Sequence, residues 1–310
     1  MTSTGGAPRP DVDNVVERIR AVYQGWGRKT PVAQMRRDWD VLFGREILGA
    51  RNDAATINGV DTAWICAPGV HSESVVVYFH GGGFQVGSLL SHCELMVGIS
   101  AAAGCRVLGV DYRLAPEHHF PAPLQDALAV FDGLLAQGMR ADQIALAGDS
   151  AGGAVALWLL LALRDAGRLL PRAAVLMSPW TDLSASGSSY ETRAGADPIH
   201  QRPMIQALAR NFLGSGPDAC DPGSPAVSPL FASLHGLPPF LIQVGDRETV
   251  LSDSTELAKK AQAAQVPVTL EVWPEMVHVF QQFPHELHEA RAAIASAGQF
   301  LRQHLPTPNP

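Results

Sequence analysis

Ile144-Ala145-Leu146-Ala147-Gly148-Asp149-Ser150-Ala151-Gly152-Gly153 is the stretch whose reading decides the fold. Its first four residues form a short apolar run, as in a strand covered on both faces. The residues after it, Gly152 to Asp165, read as a helix. A strand, a sharp turn and a helix make a nucleophile elbow, with Ser150 on a strained turn and its hydroxyl held clear of the sheet. Gly148 and Gly152 then have a steric reason, because side chains two positions either way would strike the neighbouring strand and helix. The helix N-terminus beneath the serine favours developing negative charge.

Outward from this elbow, a second glycine cluster, His80-Gly81-Gly82-Gly83-Phe84, follows the apolar run Val75–Phe79. Three consecutive glycines after a buried strand let the backbone approach a ligand with its N–H groups facing it. The N–H groups of Gly82 and Gly83, with that of Ala151, would form a three-donor oxyanion hole. A phosphate-binding loop would need Lys-Ser/Thr after the glycines, and Phe84-Gln85 stands there instead. His80 could tempt as a base, but a histidine opening such a loop more often orients it by hydrogen bonding. An attacking serine and an oxyanion hole together point to acyl transfer.

Four more apolar runs, Val107–Val110, Ala174–Met177, Phe240–Val244 and Val268–Trp273, read as strands. Helical stretches lie around His92–Ala103, Pro123–Gln137 and Ser252–Ala264, and a last one runs from about Pro284 to His304. This alternation predicts an α/β fold, a mostly parallel sheet flanked by helices and joined by right-handed crossovers. Leu42 to Cys66, broken by Gly44, Gly49, Asn58-Gly59 and Asp61, reads as an antiparallel meander at the sheet edge. Two regions fall outside the alternation. Val12 to about Trp39 is amphipathic and helical, with Val15, Val16, Ile19, Val22 and Tyr23 on one stripe. Pro179 to Pro239 carries nine prolines and no clear strand, although Ile205–Leu213 looks helical. Long insertions in compact folds are usually lids or binding loops. The expected organisation is an N-terminal cap segment (1–45), a core (46–178 and 240–310) and a cap insertion (179–239). The apolar cap residues Phe212, Leu213, Leu230 and Phe231 suggest a closed pocket rather than an open platform.

Bulk properties narrow the function classes. A chain of 310 residues, 46% hydrophobic, can bury a large core, and a formal net charge of -7 argues against nucleic acid or an anionic membrane as a standing partner. Cys66, Cys93, Cys105 and Cys220 are scattered, without metal-ligand spacing, and read as reduced, mostly buried thiols. No secretory signal is visible, and the longest apolar run, Ala154 to Leu163, is too short to span a bilayer. The expectation is a soluble cytoplasmic protein.

Further stretches carry a resemblance. Asp111-Tyr112-Arg113-Leu114-Ala115-Pro116-Glu117 with Phe120-Pro121-Ala122, Ser178-Pro179-Trp180-Thr181-Asp182-Leu183-Ser184 and Leu237-Pro238-Pro239 resemble segments of the hormone-sensitive-lipase-like, or bacterial family IV, branch of α/β-hydrolase esterases. The likeness spans roughly residues 60 to 305. It implies hydrolysis of short- to medium-chain carboxylic esters, a small-molecule ester as partner, no metal or organic cofactor, and a dimer through the sheet edge. The same residues could serve an amidase or an acyltransferase. A receptor on a dead hydrolase scaffold would have lost the base.

In this fold the order is Ser, acid, His. Among the histidines after Ser150, only His278 lies on a loop just after a predicted strand, and its His-x-Phe setting also matches the family. His200 and His235 fall in the insertion, and His285, His288 and His304 on the closing helix. The acid departs from the family's usual Asp-Pro-Leu-Arg-Asp, since the loop here is Gly245-Asp246-Arg247-Glu248-Thr249-Val250-Leu251-Ser252-Asp253. Ungapped counting from Pro239, or back from His278, puts Glu248 at the acid position, with Asp246 as rival and otherwise a loop-bracing carboxylate. Asp253 reads as capping or flanking the next helix. Arg113 and Glu117 read as a buried ion pair or backbone anchor bracing the glycine loop, and Asp149 as a support beside the serine.

Overall fold

Strands that must be apolar on both faces need helices on both sides, and the chain supplies them in alternation. The computed structural model describes residues 9–27, 29–217 and 219–306. In chain order the elements are α1 (Pro10–Gln24), α2 (Val32–Phe43), β1 (Arg51–Ile57), β2 (Val60–Cys66), β3 (Val75–Phe79) and α3 (Cys93–Ala103). Next come β4 (Arg106–Val110), α4 (Ala122–Ala136), β5 (Ile144–Asp149), α5 (Ala151–Asp165), β6 (Ala174–Met177) and the one-turn α6 (Ser189–Thr192). The last are α7 (Arg202–Leu213), β7 (Phe240–Gly245), α8 (Leu251–Ala263), β8 (Val268–Trp273) and α9 (His288–His304).

The strands form one sheet in the order β1-β2-β4-β3-β5-β6-β7-β8. β1 and β2 pair antiparallel across the Asn58-Gly59 turn, β2 pairs antiparallel with β4, and every pair from β4 to β8 is parallel. Successive β3 side chains serve two cores. Val75, Val77 and Phe79 pack with α4, α5 and α8, while Val76 and Tyr78 pack with α3 and α9. That double burial is why the strands read as continuous apolar runs. Strand order reverses around β3, whose neighbours are β4 and β5. A crevice at the carboxyl end of such a switch strand is where open α/β sheets bind ligands, and the glycine cluster begins there.

Several expectations shift at the edges. The N-terminal stretch is two helices, not one, and α2 takes in Leu42 and Phe43, so the antiparallel strands start only at Arg51. α9 begins at His288; Pro284, His285 and Glu286 before it form a turn. A third core joins the chain's two ends: Val12, Val15, Val16 and Ile19 of α1 cluster with Met276, Val277, Phe280, Phe283 and Leu287. Arg18 donates to Glu286 at 2.7 Å beside this core. Among the described residues no helix is long and apolar enough to cross a membrane.

Candidate active site

Ser150 ends the sharp turn between β5 and α5 with φ 50° and ψ -118°. A non-glycine residue in this region is strained, and its neighbours hold it there. The Ser150 N–H donates to the Met177 carbonyl, and its own carbonyl accepts from Trp180 N–H, each at 2.9 Å. A Cβ at Gly152 would overlap the Phe79 carbonyl, and one at Gly148 the Gly152 carbonyl. The tight approach of elbow to β3 therefore depends on both glycines.

His278 enters on the loop after β8 and turns Nε2 to the Ser150 hydroxyl at 2.9 Å. Its Nδ1–H donates to Glu248 Oε2 at 2.7 Å. The other carboxylate oxygen, Oε1, accepts from Gly245 N–H at 2.6 Å and from the Ser178 hydroxyl at 2.7 Å. Ser178 also accepts from Val279 N–H at 3.2 Å, tying the histidine loop to the end of β6. A carboxylate on Nδ1 fixes the tautomer that leaves Nε2 free to accept a proton. Burial pulls His278 down, but the charge and hydrogen bond of Glu248 outweigh it and hold the ring above an ordinary histidine.

Asp246 points elsewhere: it accepts from Glu275 N–H at 2.8 Å and braces the two loops. Asp253 does not cap α8. It lies inside that helix and accepts from Thr181 and Asp182 N–H, each at 2.8 Å, because the segment after β6 passes directly over it.

The glycine loop rests on a buried polar scaffold. The carboxylate of Asp149 accepts from Tyr78 OH at 2.7 Å and Gly81 N–H at 2.9 Å, so the residue beside the serine also positions the loop. Burial would raise Asp149, but the adjacent His92 and the Tyr78 hydrogen bond outweigh it and hold it low. His80 is buried and stacked on Tyr112 with ring centres 4.5 Å apart. Burial above all, and then the nearness of His92, depress it to about 4, so it stays neutral and structural. Tyr112 OH donates to the His80 carbonyl at 2.6 Å. The N–H groups of Gly82, Gly83 and Ala151 have no acceptor among the described residues. Gly82 and Gly83 line the cavity over Ser150, while Ala151 is the buried first residue of α5 behind it.

Arg113 and Glu117 are not partners. Arg113 pairs with Asp126 of α4, whereas Glu117 is half exposed and takes two bonds from Arg36 of α2, at 3.0 and 2.7 Å. The loop turns between them, so one residue anchors it to the core and the other to the N-terminal helices.

Above the serine lies a cavity of about 340 Å³. Its roof comes from α1 (Ile19, Tyr23), α2 (Met35, Trp39, Phe43) and α7 (Met204, Ile205, Leu208). Phe212 and Leu213, expected near the pocket, are instead core residues, because α7 turns them inward and Phe212 stacks on Phe84 at 4.0 Å. Phe231 is partly exposed at the surface. His200 is the residue that sequence reasoning passed over. It sits just before α7 with its ring centre 4.5 Å from that of His278, and nothing in its local sequence signals that approach. His235 is exposed, His285 pairs with Glu94, and His288 and His304 lie on α9, all outside the cavity lining.

The family model for the alpha/beta hydrolase fold matches residues 76–282, which hold the elbow, the glycine loop and both His278 and Glu248. The chain belongs to the α/β-hydrolase family. Within it, the likeness runs to the hormone-sensitive-lipase branch. The crystal structure of an esterase from the bacterial hormone-sensitive lipase family superposes with a TM-score of 0.92 at 42% identity, covering 97% of this chain and 100% of that one. An acetyl-hydrolase of Streptomyces hygroscopicus is 41% identical over 250 residues, 81% of this chain and 82% of that protein. An esterase of Acinetobacter venetianus is 37% identical over 229 residues, 74% and 75% of the two chains. In this α/β-hydrolase the serine, the histidine and a glutamate are thus gathered under one apolar roof.

Proposed function

We propose that the protein is a carboxylesterase acting on short- to medium-chain acyl esters, with Ser150 as nucleophile. The observation that carries this reading is the continuous relay Ser150–His278–Glu248, with bonds of 2.9 and 2.7 Å, opening on an apolar cavity. His278 Nε2 takes the hydroxyl proton as Ser150 Oγ attacks the ester carbonyl carbon. The oxygen that becomes negative is held by the N–H groups of Gly82, Gly83 and Ala151. Glu248 keeps the ring oriented and stabilises its charged form without itself taking the proton. His278 then protonates the leaving alcohol as the acyl-enzyme forms. Water, deprotonated by the same nitrogen, attacks that acyl group, and the carboxylic acid leaves with Ser150 restored.

A cavity of about 340 Å³ suits short and medium acyl chains, and the name of the acetyl-hydrolase relative agrees with the short end of that range. A panel of nitrophenyl esters and the matching anilides tests the reaction class, since an amidase would cleave the anilides at comparable rates. Ser150→Ala should abolish ester turnover; residual activity near wild type would overturn the mechanism. His278, complete with its carboxylate partner, speaks against a receptor on a silent scaffold.

A further inference from the structure

Beside the proposed relay stands a half-buried histidine that takes no part in it. His200 lines the cavity over Ser150, edge to face with His278 at an interplanar angle of 74°. Its backbone N–H is held by Asp197 at 2.8 Å, which fixes the loop before α7. The ring makes no hydrogen bond to any described residue: Nδ1 is buried without a partner, and Nε2, also unpaired, is not among the fully buried atoms. The rest of the roof offers mainly hydrocarbon, sulfur and aromatic faces from Ile19, Phe43, Met204 and Leu208, besides the rings of Tyr23 and Trp39, the latter with its indole N–H buried and also without a partner. Burial first, and then the adjacent His278, depress His200 to about 4. It is therefore neutral in the working range. With no protein partner to fix its tautomer, the ring can donate to a carbonyl or accept from a hydroxyl.

Its place against His278 sets which end of a substrate it meets. In the proposed reaction the proton on His278 Nε2 passes to the leaving oxygen, so the alcohol part of the ester must lie against that ring. His200 is packed on the same ring. We propose that His200 is a specificity-determining residue whose Nε2 hydrogen-bonds a hydroxyl or carbonyl carried on the alcohol part of the ester, a few bonds from the scissile oxygen. The substrate class is thus hydroxyalkyl or oxoalkyl esters rather than plain alkyl esters. This inference rests on the ester-hydrolase reading.

The test compares kcat/KM for 2-hydroxyethyl butyrate with that for its near-isostere propyl butyrate in a pH-stat. Wild type should favour the hydroxyl ester. The ratio should fall about tenfold, the worth of one neutral hydrogen bond, in His200→Phe. His200→Gln, whose amide reaches the Nε2 position, should restore it, and His200→Asn, which is too short, should not. Should the Phe variant fail to fold, the Gln and Asn pair reads the same ratio. A ratio that is flat in wild type, or that survives in the Phe and Asn variants while both rates fall together, overturns the proposal. An acyl arm, ethyl 3-hydroxybutyrate against ethyl 3-methylbutyrate, separates the two ends of the ester, and a preference confined to that arm overturns the assignment to the alcohol side. Absence of turnover on all four esters in wild type would instead remove the ester-hydrolase reading itself.

Discussion

Glu248 gives each of its carboxylate oxygens a separate task, one to His278 and the other to Gly245 N–H and Ser178. Asp246, two residues earlier, faces the Glu275 N–H. Glu248→Gln should therefore lose about 10³- to 10⁴-fold in kcat, because the amide favours the wrong tautomer of His278. Asp246→Ala should stay within about tenfold of wild type, since it removes only a loop brace. Steady-state rates of both variants decide between the two acids, and the reverse pattern would move the acid to Asp246. The pH profile carries a second expectation. kcat/KM requires neutral His278, whose protonated form Glu248 favours, so the acid limb should have its midpoint above the ordinary 6.5. In Glu248→Gln the raising influence goes and burial remains, so the limb should move to lower pH. At this scale Ser150 and His278 were legible because each follows a strand in a fixed order. The carboxylate was legible by ungapped counting to Glu248, but Asp246 stayed a rival because two carboxylates on one short loop differ only in side-chain direction. Arg113 and Glu117 misled for the same reason: nearness in sequence says nothing about partners on α4 and α2.

Helix against helix, α3 and α9 meet closely: a Cβ at Gly298 would overlap the backbone and side chain of Ala102. Gly298→Ala should cost about 1–3 kcal/mol by overpacking, seen as a melting temperature several degrees lower, with KM on nitrophenyl esters unchanged. An unaltered melting temperature would show that α9 can slide to make room. Elements buried on both faces were the most legible: β3 and β6 have the bounds their apolar runs suggest. Ends were less so. α9 starts four residues after Pro284, since Phe283 and Leu287 bury into the third core and hold the chain in turns first. The course of α7 was legible as a helix, but its choice to bury Phe212 and to offer Leu208 to the cavity depends on Phe84, far away in sequence.

Taken whole, the molecule closes its site with its own beginning. The apolar stripe of α1 seats on the loop that carries His278, and four buried aliphatic side chains contribute about 1.5–3 kcal/mol each before entropy. Val15→Asp would bury an unpaired charge there, so α1 should lift off. Trypsin should then cut after Arg18 or Arg20 at least about tenfold faster than in wild type, on the view that protection follows the equilibrium for opening; equal rates would show that the ion pairs alone hold the helix. Periodicity made the stripe visible, but not its destination, because a helical pattern records that a face is buried and not against what. That destination has a consequence for biosynthesis. Val15 leaves the ribosome about 260 residues ahead of Met276, a delay on the order of tens of seconds at cellular elongation rates. Through that interval the apolar stripe of α1 has no partner to cover it, because the loop that carries His278 is still to be made.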